Sequence, residues 1–267
     1  MTINLYGWDN CPAEVKDQVG KLQECLIRQL DDNLLGTYLH GSLALQCFNP
    51  ACSDLDVIVL LKESIDVEVR FRLVQELLAL SLNPAPIEIS LITQGGIRPW
   101  RHPTPFELHC SEYWRQRYED SVVLGDKEFW AGTPVDGDLA CHIMLIRQKG
   151  ICVYGLSVAE AFPDVPEPDF RSSILDGVDY AADSLRTLPV YGILTLCRVL
   201  SYLKTGRILS KRDAGIWALH LLPESLRDIV RSAVELYEGS RSDMAAMSDE
   251  DLNSYKSFML SAIQSAA

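Results

Sequence analysis

The sequence of 267 residues predicts an α/β (α+β) domain with a mixed sheet, followed by an all-helical domain. Two observations support this prediction. Short apolar runs alternate with segments of helical periodicity in the first part of the chain, and helical periodicity alone continues in the last third. A short, acidic, proline-rich stretch separates the two parts. We therefore expect a first domain at 1–160, a linker at 161–170 and a second domain at 171–267.

The elements of the first domain follow from side-chain spacing and from the residues that stop each element. Apolar residues at three- and four-residue spacing predict helices, and short apolar or alternating runs predict strands. The segment Asn83-Pro84-Ala85-Pro86 ends one helix, and Asp138 suits the start of another because a carboxylate is favoured at a helix N-terminus. We expect helices at 11–32, 66–82 and 138–154, and strands at 34–39, 54–61 and 87–92.

The predicted second domain contains helices only. Thr205-Gly206 ends one of them, and Pro223 begins another. We expect these helices at about 171–186, 189–204, 211–221, 223–238 and 248–265. Asp179 and Asp183 share one face of the first of these helices; most such acidic faces are simply solvated, but this one is also suited to a polyamine.

Composition and charge limit the possible partners. The chain is 48% hydrophobic and 23% charged, as globular proteins are, and its net charge is −13. Binding of a nucleic-acid backbone requires clustered Lys and Arg, so we expect no nucleic-acid partner, and a polynucleotide polymerase is the weakest of the possible functions. The acidity is compatible with a cationic substrate, although it often serves solubility alone.

Location and thiol chemistry are predicted from what the sequence lacks. No apolar run is long enough to cross a bilayer, and the first residues do not resemble a signal peptide, so we expect a cytoplasmic protein without a membrane partner, and a monomer. The eight cysteines stand singly, which indicates reduced thiols. The histidines do not follow zinc-site spacing; His102, His109 and Cys110 come closest.

Two carboxylates open the strand predicted at 54–61. Asp54 and Asp56 alternate along this strand and therefore leave it on the same face. Mg²⁺ with phosphate attached is a natural occupant of such a pair, because Mg²⁺ binds one or two carboxylates together with substrate phosphates. Gly41 and Ser42 form a turn that lets the backbone approach a phosphate. Taken singly, a Gly-Ser turn and a solvent-facing Asp-x-Asp are both common.

A glutamate within the strand predicted at 87–92 extends this pattern. Burial of Glu88 is costly unless the carboxylate has a partner. If this strand lies beside the strand at 54–61, Glu88 joins Asp54 and Asp56 at one metal-phosphate site; otherwise it is an edge-strand residue that faces solvent. Glu112, Tyr113 and Trp114 are candidates for lining a binding cleft, although packing accounts for most aromatic pairs.

These residues resemble the signature of the polymerase-beta-type nucleotidyltransferase superfamily. An ordered set of further segments is similar to the streptomycin/spectinomycin (aminoglycoside) adenylyltransferase family. The Thr-Leu-x-Arg motif that ends at Arg198 and the Thr-Gly-x-x-x-Ser-Lys motif that ends at Lys211 are its most specific parts. The matching segments are 86–92, 99–100, 112–115, 138–139, 154–155, 193–198, 203–211 and 235–239.

The resemblance implies an N-terminal nucleotidyltransferase domain and a helical C-terminal domain, with ATP and drug bound between them. It assigns Mg²⁺ to Asp54 and Asp56, with Glu88 beside them as the base that deprotonates the drug hydroxyl. It assigns ATP contacts to Gly41, Ser42, Ser53, Asp138, Arg198, Lys211 and Tyr237. The acidic and aromatic candidates named above are expected to contact the acceptor: Glu112, Tyr113, Trp114, Asp179 and Asp183.

The departures from the family pattern lie in the acceptor-binding half. The family has a tryptophan where Tyr113 stands, an acidic pair where Leu188 and Pro189 stand, and a tryptophan near Asp179 and Tyr180. Nucleotide chemistry therefore looks retained, while acceptor recognition looks altered. Three functions stay open: an adenylyltransferase acting on such antibiotics, a nucleotidyltransferase that modifies a protein or another metabolite, and a nucleotide-binding protein without catalysis.

Overall fold

A computed structural model describes residues 5–241 and 248–267 of the chain. These residues divide into two compact units, with the boundary between Phe170 and Arg171. Tyr6–Phe170 forms one unit, and Arg171–Ala267 belongs to the other. The predicted linker at 161–170 is part of the first unit in this division, and the domain bounds given above are kept as a proposal.

In the first unit, helices and strands mostly alternate along the chain. Its first half comprises α1 (Ala13–Leu30), β1 (Leu34–Leu39), α2 (Gly41–Ala44), β2 (Leu55–Leu61), α3 (Val67–Leu80) and β3 (Ile87–Thr93). Its second half comprises α4 (Gln94–Ile97), β4 (Thr104–Pro105), β5 (Leu108–Cys110), α5 (Arg115–Leu124), β6 (Val135–Asp136), α6 (Leu139–Lys149), β7 (Ile151–Gly155) and α7 (Val158–Ala161).

The main sheet is mixed, as the sequence predicts. Its strand order is β5-β3-β2-β1-β7, with β2 and β3 parallel and the other neighbouring pairs antiparallel. The short strands β4 and β6 form a separate antiparallel pair. Because β2 and β3 are joined by α3, they form the parallel crossover unit that places the ends of two strands side by side.

One face of the sheet is buried against α1 and α3. Leu55, Val57 and Val59 of β2 lie in the same core as Leu26 of α1 and Leu73 of α3. This confirms that the apolar positions of β2 point away from Asp56. Alternation along a strand therefore leaves the carboxylates on the opposite face of the sheet.

Element boundaries in the first unit agree with the turn chemistry in most places and differ in one. Asp66 caps α3 by accepting a hydrogen bond from the Val69 N–H at 2.8 Å. The helix expected at 138–154 is wrong in its last five residues, because α6 ends at Lys149 and the chain continues as β7. Pairing of β7 with β1 satisfies its backbone groups, and this long-range contact overrides the helical periodicity of the segment.

The second unit is helical. Its elements are α8 (Glu167–Asp176), which contains the boundary, α9 (Val178–Asp183), α10 (Pro189–Thr205), α11 (Lys211–Leu221), α12 (Glu224–Tyr237) and α13 (Asp249–Gln264). The single helix expected at 171–186 is wrong, because Gly177 separates α8 from α9. Gly206, in the left-handed conformation at φ +67°, ends α10, and Pro223 immediately precedes α12, as predicted.

Helices α9 to α13 together enclose the core of the second unit. Leu194 and Leu200 of α10, Ala214 of α11, Val230 of α12 and Met259 of α13 are fully buried in it. Each of the eight cysteines lies in the described ranges and forms no disulfide there. Within those ranges, no helix is both long and apolar enough to span a membrane.

Candidate active site

Two carboxylates lie side by side where β2 and β3 begin. Asp56 and Glu88 are directly paired in the parallel register, so their side chains leave the same face of the sheet. Asp54 directly precedes β2. Alternation along the strand puts Asp54 on the same face as Asp56 and opposite to Leu55. The expectation that β2 lies beside β3 is therefore confirmed, and Glu88 is half-buried and is not on an edge strand.

The segment before α2 contacts the start of β2. The His40 N–H donates a hydrogen bond to the backbone oxygen of Asp56 at 3.0 Å. Gly41 has φ +58°, and a Cβ atom added to it would lie 1.7 Å from Asp56 Oδ2. Only glycine meets both conditions without displacing the carboxylate, because an L side chain is strained at this φ and clashes at this distance.

Two serines beside these carboxylates differ in their contacts. In the part of the chain that the structure describes, Ser42 Oγ is buried without a hydrogen-bond partner. Ser53 Oγ, which is also buried, accepts a hydrogen bond from the Asn49 N–H at 3.0 Å. A buried hydroxyl without a partner is costly, so Ser42 Oγ is suited to binding a ligand oxygen such as that of a phosphate.

Electrostatics at this site distinguish Glu88 from its neighbours. Burial, followed by the charges of Asp56, Asp54 and Asp138, raises the pKa of Glu88 to about 7, while His142 acts in the opposite direction. A carboxyl group with a pKa near neutrality can accept a proton at physiological pH. The structure thus gives Glu88 an electrostatic environment typical of a general base.

Three histidines lie beside the carboxylates, and the sequence analysis gave none of them a role at this site. His142 Nε2 lies 3.3 Å from Asp138 Oδ2, and the His142 and His40 ring centroids are 4.8 Å apart. His109 Nδ1 lies 2.9 Å from the hydroxyl of Ser90, two residues after Glu88. The four-residue spacing of Asp138 and His142 within a predicted helix was the available signal, because it puts both side chains on one helix face.

The donor set fits a divalent cation that arrives with phosphate. Among residues 5–241 and 248–267, no group of three His, Cys, Asp or Glu side chains is arranged to hold a metal ion by itself. Mg²⁺ does not require such a cage, since it is commonly bound by one or two carboxylates, several waters and substrate phosphates. Asp54 and Asp56 match that mode, together with the unpartnered Ser42 Oγ, whose neighbour Gly41 contacts Asp56.

The residues expected to bind the acceptor in the first unit lie elsewhere. Glu112 accepts hydrogen bonds from Ser81 Oγ and from Arg115 Nε, each at 2.5 Å, and Arg115 holds its pKa below the usual range. A small cavity beside Glu112 is lined by Ile87 and Ile89, so Glu112 lies on the face of β3 opposite to Glu88. The structure therefore does not bring Glu112 together with the Glu88 carboxylate.

The aromatic neighbours of Glu112 are exposed. Tyr113 and Trp114 have 78% and 42% of their surface exposed, and their rings form an edge-to-face pair with centroids 5.0 Å apart. This arrangement leaves both rings accessible to a ligand or a partner.

The predicted nucleotide contacts of the second unit lie on three helices that pack against one another. Arg198 lies within α10, Lys211 is the first residue of α11, and Tyr237 is the last residue of α12. Lys211 Nζ lies 4.9 Å from the centroid of the Tyr191 ring, a cation–π distance. This contact places the ammonium group of Lys211 beside Tyr191, near the start of α10.

The predicted acidic residues of α9 have different surroundings. Asp179 is exposed at the start of α9, and Asp183 Oδ1 forms an ion pair with Lys256 Nζ at 2.7 Å. The Asp183 carboxylate remains largely in solvent, so this ion pair contributes little to stability. Asp183 can exchange Lys256 for another cation at small cost.

Comparison with known proteins identifies the family. Spectinomycin 9-adenylyltransferase of Enterococcus faecalis is 30% identical over 230 residues, which cover 84% of this chain and 87% of the relative. The chain belongs to the aminoglycoside adenylyltransferase family. An aminoglycoside (3'') (9) adenylyltransferase of Escherichia coli is 27% identical over 256 residues, covering 91% of this chain and 92% of the relative.

Two further comparisons support membership of the aminoglycoside adenylyltransferase family. The family model described as "Aminoglycoside adenylyltransferase, C-terminal domain" matches residues 160–262. The crystal structure of a spectinomycin adenyltransferase, AAD(9), from Enterococcus, with ATP and spectinomycin, superposes with a TM-score of 0.82 at 26% identity, covering 93% of this chain and 99% of that one. The predicted family, fold class and enzyme class, a nucleotidyltransferase, are thereby confirmed.

Proposed function

We propose that this protein transfers AMP from ATP to a hydroxyl of an aminoglycoside or aminocyclitol antibiotic, of the streptomycin or spectinomycin type, and so inactivates the drug. The observation that carries the proposal is the pairing of Asp56 with Glu88 on adjacent parallel strands, beside the close contact of Gly41 with Asp56. The names of the similar proteins give this class of acceptor, and the solved relative was crystallised with ATP and spectinomycin.

The chemistry assigns a role to each carboxylate. The acceptor hydroxyl oxygen forms a bond to the α-phosphorus of ATP, the bond from that phosphorus to the departing pyrophosphate breaks, and the hydroxyl proton passes to Glu88. Asp54 and Asp56 would hold Mg²⁺, with Glu88 as a third neighbour; when bound, the ion neutralises charge on the triphosphate. The raised pKa of Glu88 suits proton acceptance near neutral pH.

Nucleotide binding is proposed for the residues that the family resemblance assigns. In the first unit these are Gly41, Ser42, Ser53 and Asp138; the unpartnered hydroxyl of Ser42 supports this assignment most directly. In the second unit they are Arg198, Lys211 and Tyr237. Lys211 supplies a point charge for phosphate at the start of a helix, where anions are favoured.

Acceptor recognition is proposed for Asp179 and Asp183, together with the exposed rings of Tyr113 and Trp114. Carboxylates attract the ammonium or guanidinium groups of such antibiotics, and aromatic faces accept their sugar rings. Glu112 is a weaker candidate in the structure because Arg115 and Ser81 occupy its oxygens. Tyr113 and Asp179 lie at or near positions where the family has tryptophan, so we expect a drug preference that differs from that of the relatives.

A direct assay tests the proposal. The protein is incubated with ATP, Mg²⁺ and a panel that contains streptomycin, spectinomycin and other aminoglycosides, and products are measured by mass spectrometry. We expect an AMP adduct on at least one drug and one pyrophosphate released per adduct. Adducts on no drug, together with labelling of a protein or another metabolite in cell extract, would favour the second function of the sequence analysis.

The remaining expectations are tested in cells and in solution. A sensitive bacterial host that carries the wild type should survive a higher drug concentration than one that carries Glu88→Gln. Equal survival would favour a nucleotide-binding protein without catalysis. We further propose a monomer that acts on small molecules in the cytoplasm without a nucleic-acid or membrane partner, which sedimentation and fractionation can check.

A further inference from the structure

An acidic side chain at the start of α6 is turned toward the helix. Asp138 occupies the N-cap position of α6, yet its carboxylate does not cap the helix by a side-chain hydrogen bond. Asp138 Oδ2 instead lies 3.3 Å from His142 Nε2, one helical turn further on. His142 is therefore one of the contacts that fix the position of this carboxylate.

The other side of the His142 ring contacts the segment that carries Gly41. The His142 and His40 ring centroids are 4.8 Å apart, with an angle of 48° between the ring planes. His40 is only 3% exposed, and its backbone N–H donates to the Asp56 oxygen at 3.0 Å. A continuous set of contacts thus runs from Asp138 through His142 and His40 to the Gly41-Ser42 segment and to β2.

The charges of the two rings are compatible with this contact. Burial by itself would lower the pKa of His142, but the carboxylates of Asp138, Glu88 and Asp56 raise it to about 9. Burial, followed by the charge of His142, lowers the pKa of His40 well below its usual value. The geometry itself shows the contact: His142 Nε2 faces the Asp138 carboxylate, and the His142 ring packs against the His40 ring.

We infer that His142 is a positioning residue of the nucleotide site, which holds the Asp138 carboxylate and the Gly41-Ser42 segment in fixed relation through its contacts with Asp138 and His40. This inference depends on the proposed function, in which Asp138 and Ser42 contact ATP. His142 itself contacts neither the nucleotide nor the reacting hydroxyl. Its loss should weaken ATP binding and leave acceptor binding unchanged.

Two variants that differ by one methylene group test the inference. The amide nitrogen of Gln reaches the position of His Nε2, whereas that of Asn does not. With Mg²⁺ present, ATP affinity is measured by isothermal titration calorimetry for the wild type, His142→Gln and His142→Asn. We expect His142→Asn to weaken ATP binding about 10-fold, the effect of losing one hydrogen bond to a charged group, and His142→Gln to stay within about 3-fold of the wild type.

A double-mutant cycle separates positioning from general damage to the fold. If His142 acts through Asp138, His142→Asn should have little further effect in an Asp138→Asn background. His220→Asn, at an exposed histidine near the end of α11, is the matched control and should leave ATP affinity unchanged. Thermal unfolding of each variant, followed by circular dichroism, shows whether it is folded at the assay temperature.

The outcomes of this experiment are distinct. A wild type that does not bind ATP contradicts the proposed function itself. If the wild type binds ATP and both variants bind it equally well, the inference is overturned. It is also overturned if His142→Asn and His142→Gln are weakened to the same extent. In both cases the proposed function still stands. An increase in the KM for the acceptor, without one for ATP, would also overturn it.

Discussion

Asp56 and Glu88 occupy directly paired positions on the parallel strands β2 and β3, and both carboxylates leave the same face of the sheet. Two carboxylates so placed repel each other, which is one reason why the pKa of Glu88 is raised. A cation that carries phosphate relieves the repulsion. The pairing is therefore the geometric basis of the proposed nucleotide binding and of the proposed proton transfer to Glu88.

Replacement of the proposed base should reduce the chemical step without abolishing nucleotide binding. Glu88→Gln keeps the size of the side chain but removes its capacity to accept a proton. We expect kcat to fall by about 10²-fold or more, which is the usual contribution of a general base. Steady-state kinetics with the preferred drug, and ATP titration of the same variant, provide the measurement. A variant with unchanged kcat would exclude Glu88 as the base.

The pKa of Glu88 also predicts how stability depends on pH. Folding raises this pKa from 4.5 to about 7, so the stabilisation of the protonated form is complete below pH 4.5 and is lost as the pH rises through 7. Without nucleotide or metal, the wild type should therefore lose stability relative to Glu88→Gln between pH 4.5 and 7.5, by roughly 1–3 kcal/mol. Urea unfolding at several pH values checks this; a constant difference between the two proteins would contradict it.

The glycine beside Asp56 allows a test with a matched control. Gly41→Ala introduces a Cβ atom 1.7 Å from Asp56 Oδ2 at φ +58°, so the carboxylate must move. Gly125 has φ +65°, and no atom lies within 4 Å of the place where its Cβ atom would be, so Gly125→Ala meets the backbone strain without the clash. We expect both variants to lose about 1 kcal/mol of stability, and only Gly41→Ala to lose most of its adenylyl transfer. Equal activity of the two variants would show that the contact with Asp56 is unimportant.

A buried ion pair connects α3 with the segment that precedes β5. Arg70 Nη2 lies 2.5 Å from Glu107 Oε2, and the two side chains are only 7% and 2% exposed. Arg70 also donates to the backbone oxygen of Trp130 at 2.8 Å. Glu107→Leu leaves a buried guanidinium without its counter-ion and should cost about 3–5 kcal/mol in the free energy of unfolding.

The double variant of this pair should be less destabilised than Glu107→Leu alone. Arg70→Met with Glu107→Leu removes both charges, and replacement of a buried pair by apolar side chains is often nearly neutral. Guanidinium unfolding of the two single variants and the double variant gives the comparison. Additive losses would show that the two side chains contribute independently.

The sequence analysis predicted the strands and the carboxylates more completely than the ends of the elements. The faces of Asp56 and Glu88 could be predicted because alternation along a strand depends only on local geometry. Both strands begin with a clear alternating pattern of apolar and polar residues. The extent of α6 was wrong because the segment 151–155 becomes a strand only by pairing with β1, more than 100 residues away in the chain. The break at Gly177 was missed because a single glycine does not interrupt apolar periodicity.

What the sequence by itself determined is the class of fold, the family and the enzyme class. The spacing of Asp54 and Asp56, the Gly41-Ser42 turn and the later motifs are properties of the chain alone. What only the tertiary structure decided is which distant side chains meet. His142 and His40, about 100 residues apart, contact each other only because α6 packs against α2. Glu112 lies on the face of β3 opposite to Glu88, where its hydrogen-bond partners Ser81 and Arg115 also lie. Such contacts depend on the path of the chain in three dimensions, on which local spacing carries no information.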